Sequence, residues 1–141
     1  SLGSTLTKKI PDLGILLLIG PLGAGKTTLV KGIAKSLKIQ EPITSPTFPL
    51  SQHYPLGSPP LVHLDLYRIE EKNAANEFFL QEEEESKAIG ALMVVEWPER
   101  LSLPMPDAWR GKLEYSSENQ SRFFQLIPPL DKDNKLSISF K

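Results

Sequence analysis

The chain has 141 residues, with 16 Lys and Arg against 17 Asp and Glu, and no cysteine. That length carries one domain with a real core, and the near-zero net charge argues against a free-standing nucleic-acid binder, which needs a basic face, without excluding action on RNA through a partner. Disulfides, thiolate metal sites and thiol nucleophiles are excluded; no apolar run approaches a membrane span and no secretory leader is visible, so a cytoplasmic protein with no membrane association is expected.

Leu2, Leu6 and Ile10 recur at helical spacing and read as the end of a helix packed on a sheet. The abrupt start predicts a longer natural N-terminus, and Pro11-Asp12 is a breaker. Ile15-Leu16-Leu17-Leu18-Ile19 is a continuous apolar run, as in a strand buried on both faces.

Gly20-Pro21-Leu22-Gly23-Ala24-Gly25-Lys26-Thr27 follows and reads Gly-x-x-x-x-Gly-Lys-Thr. In such a loop backbone N–H groups close around a polyphosphate, and glycines sit where a side chain would block that approach. Lys26 is a point charge for the terminal phosphates, expected to be exposed to them rather than buried in the core. The Thr27 hydroxyl is placed to face Mg²⁺. Thr28 opens a stretch to Leu37 with apolar residues at helical spacing, so a helix N-terminus points at the phosphates. Gly20, Leu22, Gly23, Ala24, Gly25, Lys26, Thr27 and Thr28 are the candidate nucleotide contacts.

Pro42 ends the helical pattern, and Pro46 and Pro49 exclude a regular helix or central strand over 43–50. Thr47 would make this hydroxyl-rich loop a switch that senses phosphate or magnesium. A proline-turned surface loop is the plainer reading of the same residues. Pro59-Pro60 closes a second loop, and Leu61-Val62-His63-Leu64-Asp65-Leu66-Tyr67 reads as a strand ending near an acid, where a P-loop fold holds its metal shell. His63 reads as a satisfied, partly buried histidine, having no second ligand at metal spacing.

Residues 73–86 read as a helix, with Glu82 to Glu85 a partner-facing patch or, on the plainer reading, a solvated face, and Gly90 ends it. Ala91-Leu92-Met93-Val94-Val95-Glu96 is a second apolar run ending in a carboxylate. Strand carboxyl ends are where open α/β sheets bind ligands, so Asp65 and Glu96 are both candidates, one for the metal shell and one for positioning water or completing the shell. Trp97 either stacks on a base or fills core. Beyond the linker Leu103-Pro104-Met105-Pro106, residues 112–115 and 122–127 read as a β-hairpin and 136–140 as a last strand. The fold class is α/β and P-loop NTPase-like: one domain over 1–141, a central parallel sheet with helices on both faces, extended by antiparallel strands in the C-terminal third.

The P-loop with Thr28, then Ser45-Pro46-Thr47-Phe48, His63-Leu64-Asp65-Leu66-Tyr67-Arg68 and Glu96-Trp97-Pro98-Glu99, together resemble the TsaE family, in order, from about Leu2 to Arg122. The resemblance implies a small ATPase required for N6-threonylcarbamoyladenosine at tRNA position 37, which does not itself transfer the threonylcarbamoyl group. It implies binding to the TsaB–TsaD pair, with tRNA met only through those partners, and ATP hydrolysis that resets the complex. It implies Mg²⁺ on Thr27 and Glu96 with Asp65 near it, Asp65 essential to hydrolysis, Thr47 a switch residue, and Trp97 and Arg122 near the nucleotide. Lys26, Thr47, Asp65 and Glu96 are thus the catalytic candidates. Much of the family's N-terminal segment is missing, which implies weaker ATP binding than with it, and 128–141 matches no motif. Two other readings stay open: a small-molecule kinase, although Arg68, Arg100, Arg110 and Arg122 form no arginine-rich lid, and a nucleotide-dependent binding module without turnover.

Overall fold

The computed structural model describes Leu6 and residues 14–21, 25–44, 46, 50–116, 121–129 and 136–140. Seven strands form one sheet: β1 (Ile15–Ile19), β2 (Ser51–Tyr54), β3 (Leu61–Asp65), β4 (Leu92–Glu96), β5 (Trp109–Ser116), β6 (Ser121–Ile127) and β7 (Leu136–Phe140). Their order is β2-β3-β4-β1-β5-β6-β7. β1 pairs in parallel with β4 and β5, and β3 in parallel with β4. β6 and β7 continue the sheet antiparallel, as expected of the C-terminal third. The other edge is antiparallel too: β2 pairs with β3, Ser51 opposite Leu64 and Tyr54 opposite Leu61. That strand falls where the sequence reads as loop, because Ser51-Gln52-His53-Tyr54 carries only one apolar residue. An edge strand needs little more, having one neighbour and one solvated side.

Helices α1 (Lys26–Ser36) and α2 (Lys72–Ala88) lie on opposite faces. The alternation of side chains along a strand decides which residues meet which helix. Leu16 and Leu18 of β1 and Val94 of β4 join Leu29, Val30, Ile33 and Ala34 of α1. Leu17, Val62, Leu64, Met93 and Val95 join Phe79 of α2. Strands buried on both faces favour apolar runs, which is why three of the parallel strands, at 15–19, 61–65 and 92–96, are legible as such, although His63 interrupts the second. Leu6 is helical and buried in the α1-side core, consistent with the helical spacing at the start; Leu2 and Ile10 lie outside the described residues.

Candidate functional site

β1, β3 and β4 are mutually parallel, so their carboxyl ends share one edge of the sheet. β1 leads there into the P-loop, β3 ends in Asp65 and β4 in Glu96. Asp65 and Glu96 are register partners, so the two acids stand side by side on the α1 face.

Gly25 precedes α1 at φ 101°, ψ 20°. Glycine visits this left-handed region at little cost, and a side chain there would be strained. No acid occupies the first turn of α1, so none of the helix's own side chains opposes an anion at its positive end. Lys26 is not the exposed cation the sequence predicts. It is buried, its Nζ donates to the Gly20 carbonyl at 2.8 Å, and the same nitrogen lies 4.2 Å from the centre of the Trp97 ring. A buried ammonium needs partners, and here one carbonyl and one π face supply them. Thr27 is half-buried and Thr28 exposed. Leu22, Gly23, Ala24 and Thr47 lie outside the described residues.

Trp97 is half-buried against the α2-side core and adopts φ 59°, ψ 49° at the start of the short helical turn Pro98–Arg100. A left-handed conformation in a bulky residue costs roughly 1–2 kcal/mol and is found where surrounding contacts over-determine it. Its ring lies 4.7 Å from that of Tyr67. Arg100 donates to the Tyr67 carbonyl at 2.9 Å and lies 5.6 Å from the Tyr67 ring. A stack therefore runs from the P-loop lysine through Trp97 and Tyr67 to Arg100. Of the two readings of Trp97, core filling is met in part, since one side of the residue packs on core, while its ring also faces Lys26.

The Asp65 carboxylate accepts from the Tyr67 N–H at 3.0 Å. Burial pushes its pKa above the usual carboxylate value. The Tyr67 N–H lowers it, the Glu96 charge raises it again, and His63 and Lys26 lower it. Glu96 is buried, and its Oε2 lies 2.6 Å from His63 Nε2. His63 is fully buried, not partly, and its Nδ1 has no hydrogen-bond partner among the described residues. Sequence reasoning missed this pair. What brings the two together is the register, which the sequence does not print: with Asp65 opposite Glu96, a polar residue two places before Asp65 lies diagonally beside Glu96 on one face.

Arg122, the second residue of β6, pairs with Tyr115, which puts its backbone on the same carboxyl edge, two strands from β1; its side chain lies outside the described residues. The Glu82 to Glu85 run is not uniformly solvated. Glu82 is buried and accepts from Ser51 Oγ at 2.7 Å, with His53 Nε2 at 2.8 Å on its other oxygen. His53, Glu82 and Glu85 bring ligand atoms within 4.8 Å of one another, yet both Glu82 oxygens are already satisfied by protein. A cavity of about 290 Å³ lies beside Ile15, Phe79, Leu103 and Met105, at the amino end of β1.

The donor set on the P-loop edge is hard oxygen: a threonine hydroxyl and two carboxylates. Such ligands fit Mg²⁺, and the Asp65–Glu96 repulsion is what a divalent cation relieves.

A sheet whose first strand runs through Gly-x-x-x-x-Gly-Lys-Thr into a helix, with acids ending two neighbouring strands, defines the P-loop class of α/β proteins. Within that class the chain belongs to the TsaE family: the family model described as "Threonylcarbamoyl adenosine biosynthesis protein TsaE" matches residues 1–124. It is 46% identical over 127 residues to the "tRNA threonylcarbamoyladenosine biosynthesis protein TsaE" of Nostoc sp., covering 90% of this chain and 75% of that protein. It is 37% identical over 105 residues to the protein of that name from Treponema pallidum, covering 74% of this chain and 75% of the relative. The chain spans less of the Mycobacterium tuberculosis relatives, 64% of their length, at 43% identity over 110 residues. In fold it is similar to the Bacillus subtilis YdiB crystal structure, with a TM-score of 0.51 and 24% identity over 99% of this chain and 80% of the other. Among the described residues no helix is long and apolar enough to cross a membrane.

Proposed function

We propose that this chain is a single cytoplasmic ATPase domain serving N6-threonylcarbamoyladenosine formation at tRNA position 37. It acts on a TsaB–TsaD-like complex and meets tRNA only through those partners. The observation that carries the ATPase reading is the gathering of Lys26, Asp65 and Glu96 on one sheet edge, at the head of a helix whose first turn holds no acid. The family relationship supports the pathway.

In this reading Gly20, Leu22, Gly23, Ala24 and Gly25 present backbone to the phosphates, with Thr28 at their end. Lys26 exchanges the Gly20 carbonyl for phosphate oxygens and leaves the face of Trp97. Thr27, Glu96 and Asp65 would hold Mg²⁺, which supplies charge neutralisation for the leaving phosphate. Asp65 orients water at the terminal phosphate, and the Thr47 loop responds to that phosphate. Trp97 and Arg122 border the nucleotide. The chain does not transfer the threonylcarbamoyl group.

Phosphate release, measured with and without TsaB and TsaD proteins, tests this. Lys26→Ala is expected to lower it by at least about 10²-fold, as losing preorganised charge stabilisation does. The same release from a folded Lys26→Ala protein overturns the ATPase reading, and phosphoryl transfer to nucleosides in place of release favours the kinase.

A further inference from the structure

A histidine with no solvent exposure and a bare Nδ1 is a poor choice for stability alone. An unpaired buried polar atom costs free energy that leucine or valine at this position would avoid. The neighbours sharpen the question. On the α1 face of β3 and β4, His63 stands among Leu61, Val94 and two carboxylates, Asp65 and Glu96. An ionised carboxylate only accepts hydrogen bonds, so the proton in the 2.6 Å contact is assigned to Nε2, which donates to Glu96 Oε2.

Two ordinary roles do not fit. His63 belongs to no group of three metal-ligating side chains among the described residues. Its only bonded nitrogen is committed to Glu96, and with no exposed surface it cannot take a proton from an attacking water.

We propose that His63 is a positioning residue for Glu96: its Nε2–H fixes one carboxylate oxygen so that the other is held toward the Mg²⁺ shell, beside Asp65. This rests on the ATPase reading above. Glu96 has reason to need such a tether. Its charge and that of Asp65 stand at paired positions on neighbouring strands and repel, and without a donor the Glu96 side chain relieves the repulsion by turning away. Asp65 has its own anchor in the Tyr67 N–H, so each acid is held by one hydrogen bond and both stay at the edge before any cation arrives. Outer partners that orient metal ligands in this way typically contribute 10–100-fold in metal affinity.

The test uses the whole chain and follows Mg²⁺-dependent binding of a non-hydrolysable ATP analogue by calorimetry, beside Mg²⁺-free binding and thermal melting. His63→Leu removes the donor and keeps bulk, His63→Asn carries an amide too short to reach, and His63→Gln carries one that reaches. His63→Leu and His63→Asn are expected to raise the Mg²⁺ midpoint roughly 10–100-fold with Mg²⁺-free binding unchanged, and His63→Gln to restore it. In a Glu96→Gln background His63→Leu should add no further shift. A folded His63→Leu protein with the parental midpoint, or an equal loss with and without Mg²⁺, overturns the proposal. If His63→Leu does not fold, equal midpoints for His63→Asn and His63→Gln overturn it instead. Absence of Mg²⁺-dependent binding in the unaltered protein is a separate result, which overturns the ATPase reading itself.

Discussion

His63–Glu96 and His53–Glu82 are the same two functional groups in two places. Each joins a histidine on a strand to a glutamate at hydrogen-bond distance, 2.6 Å in the centre of the sheet and 2.8 Å at its edge. At the edge the histidine side chain is 39% exposed, and Glu82 also takes the Ser51 hydroxyl, so every glutamate oxygen is satisfied. In the centre both residues are buried, one histidine nitrogen is unpaired, and a second carboxylate stands alongside. The edge pair is arranged as a tie between α2 and β2. The central pair spends stability to keep negative charge crowded at the head of the P-loop. Local chemistry therefore does not assign the role; what else each pair is left to satisfy does.

The largest expected difference is in turnover. Glu96→Gln keeps an oxygen to accept from His63 Nε2–H and should fold, yet it removes a charge from the proposed metal shell. Hydrolysis should fall by more than the roughly 10–100-fold typical of outer-shell partners, with the Mg²⁺ midpoint shifted upward. Glu82→Ala should leave turnover and midpoint close to parental. Comparable losses in both variants, in magnesium titrations of phosphate release, would erase the distinction between centre and edge.

Stability should order the other way. Glu82→Ala removes the acceptor of two hydrogen bonds in a largely buried carboxylate, and such bonds to charged groups contribute about 1.5–3 kcal/mol each when no substitute is at hand. Ser51 and His53 can turn to water, which brings the total expected loss to about 1–3 kcal/mol. His53→Ala, at the exposed end of the pair, should cost less than about 1 kcal/mol. Denaturant midpoints at unchanged slope measure both. A larger loss for His53→Ala than for Glu82→Ala would mean that the histidine, not the buried carboxylate, carries the tie.

What the sequence discloses follows the same division. The P-loop, the three largely apolar runs and the acids that end two of them are legible because buried parallel strands are mostly apolar, and the phosphate loop admits few residue types. β2 is not legible, since Ser51-Gln52-His53-Tyr54 has neither an apolar run nor regular alternation, and its pairing depends on β3 being there first. Glu82 hides inside a run of four like residues, and only the helix phase against the β2 edge buries one of them. Lys26 reads as exposed because its charge is visible in sequence, whereas the Gly20 carbonyl and the Trp97 face that let it be buried are properties of the fold. His63 reads as a satisfied, partly buried histidine because its partner lies 33 residues away, across a strand pairing that one sequence does not reveal.

The smallest effect separates the two regions by sign. In the metal-free protein the Asp65 pKa lies above its usual value of 3.8, first through burial and then through the Glu96 charge. The folded protein thus holds the Asp65 proton more tightly than the unfolded chain does. Stability then falls as pH rises from the unfolded value through the raised folded value, and at neutral pH the ionised carboxylate is a cost. Asp65→Asn removes the charge and keeps the oxygen that accepts from Tyr67 N–H. Melting in the presence of EDTA should show Asp65→Asn modestly more stable than the parent at pH 7, with the gap closing as pH falls to about 4. At the edge, where the two Glu82 oxygens are met by Ser51 Oγ and His53 Nε2, Glu82→Gln should not stabilise. Saturating Mg²⁺ and ATP analogue should reverse the Asp65 order, because a ligand that binds the folded parent more tightly stabilises it by mass action. A lower melting temperature for Asp65→Asn at pH 7 in EDTA would mean that Asp65 stabilises the empty fold, and that the crowding of acids at the P-loop edge carries no cost of the kind argued for the central pair.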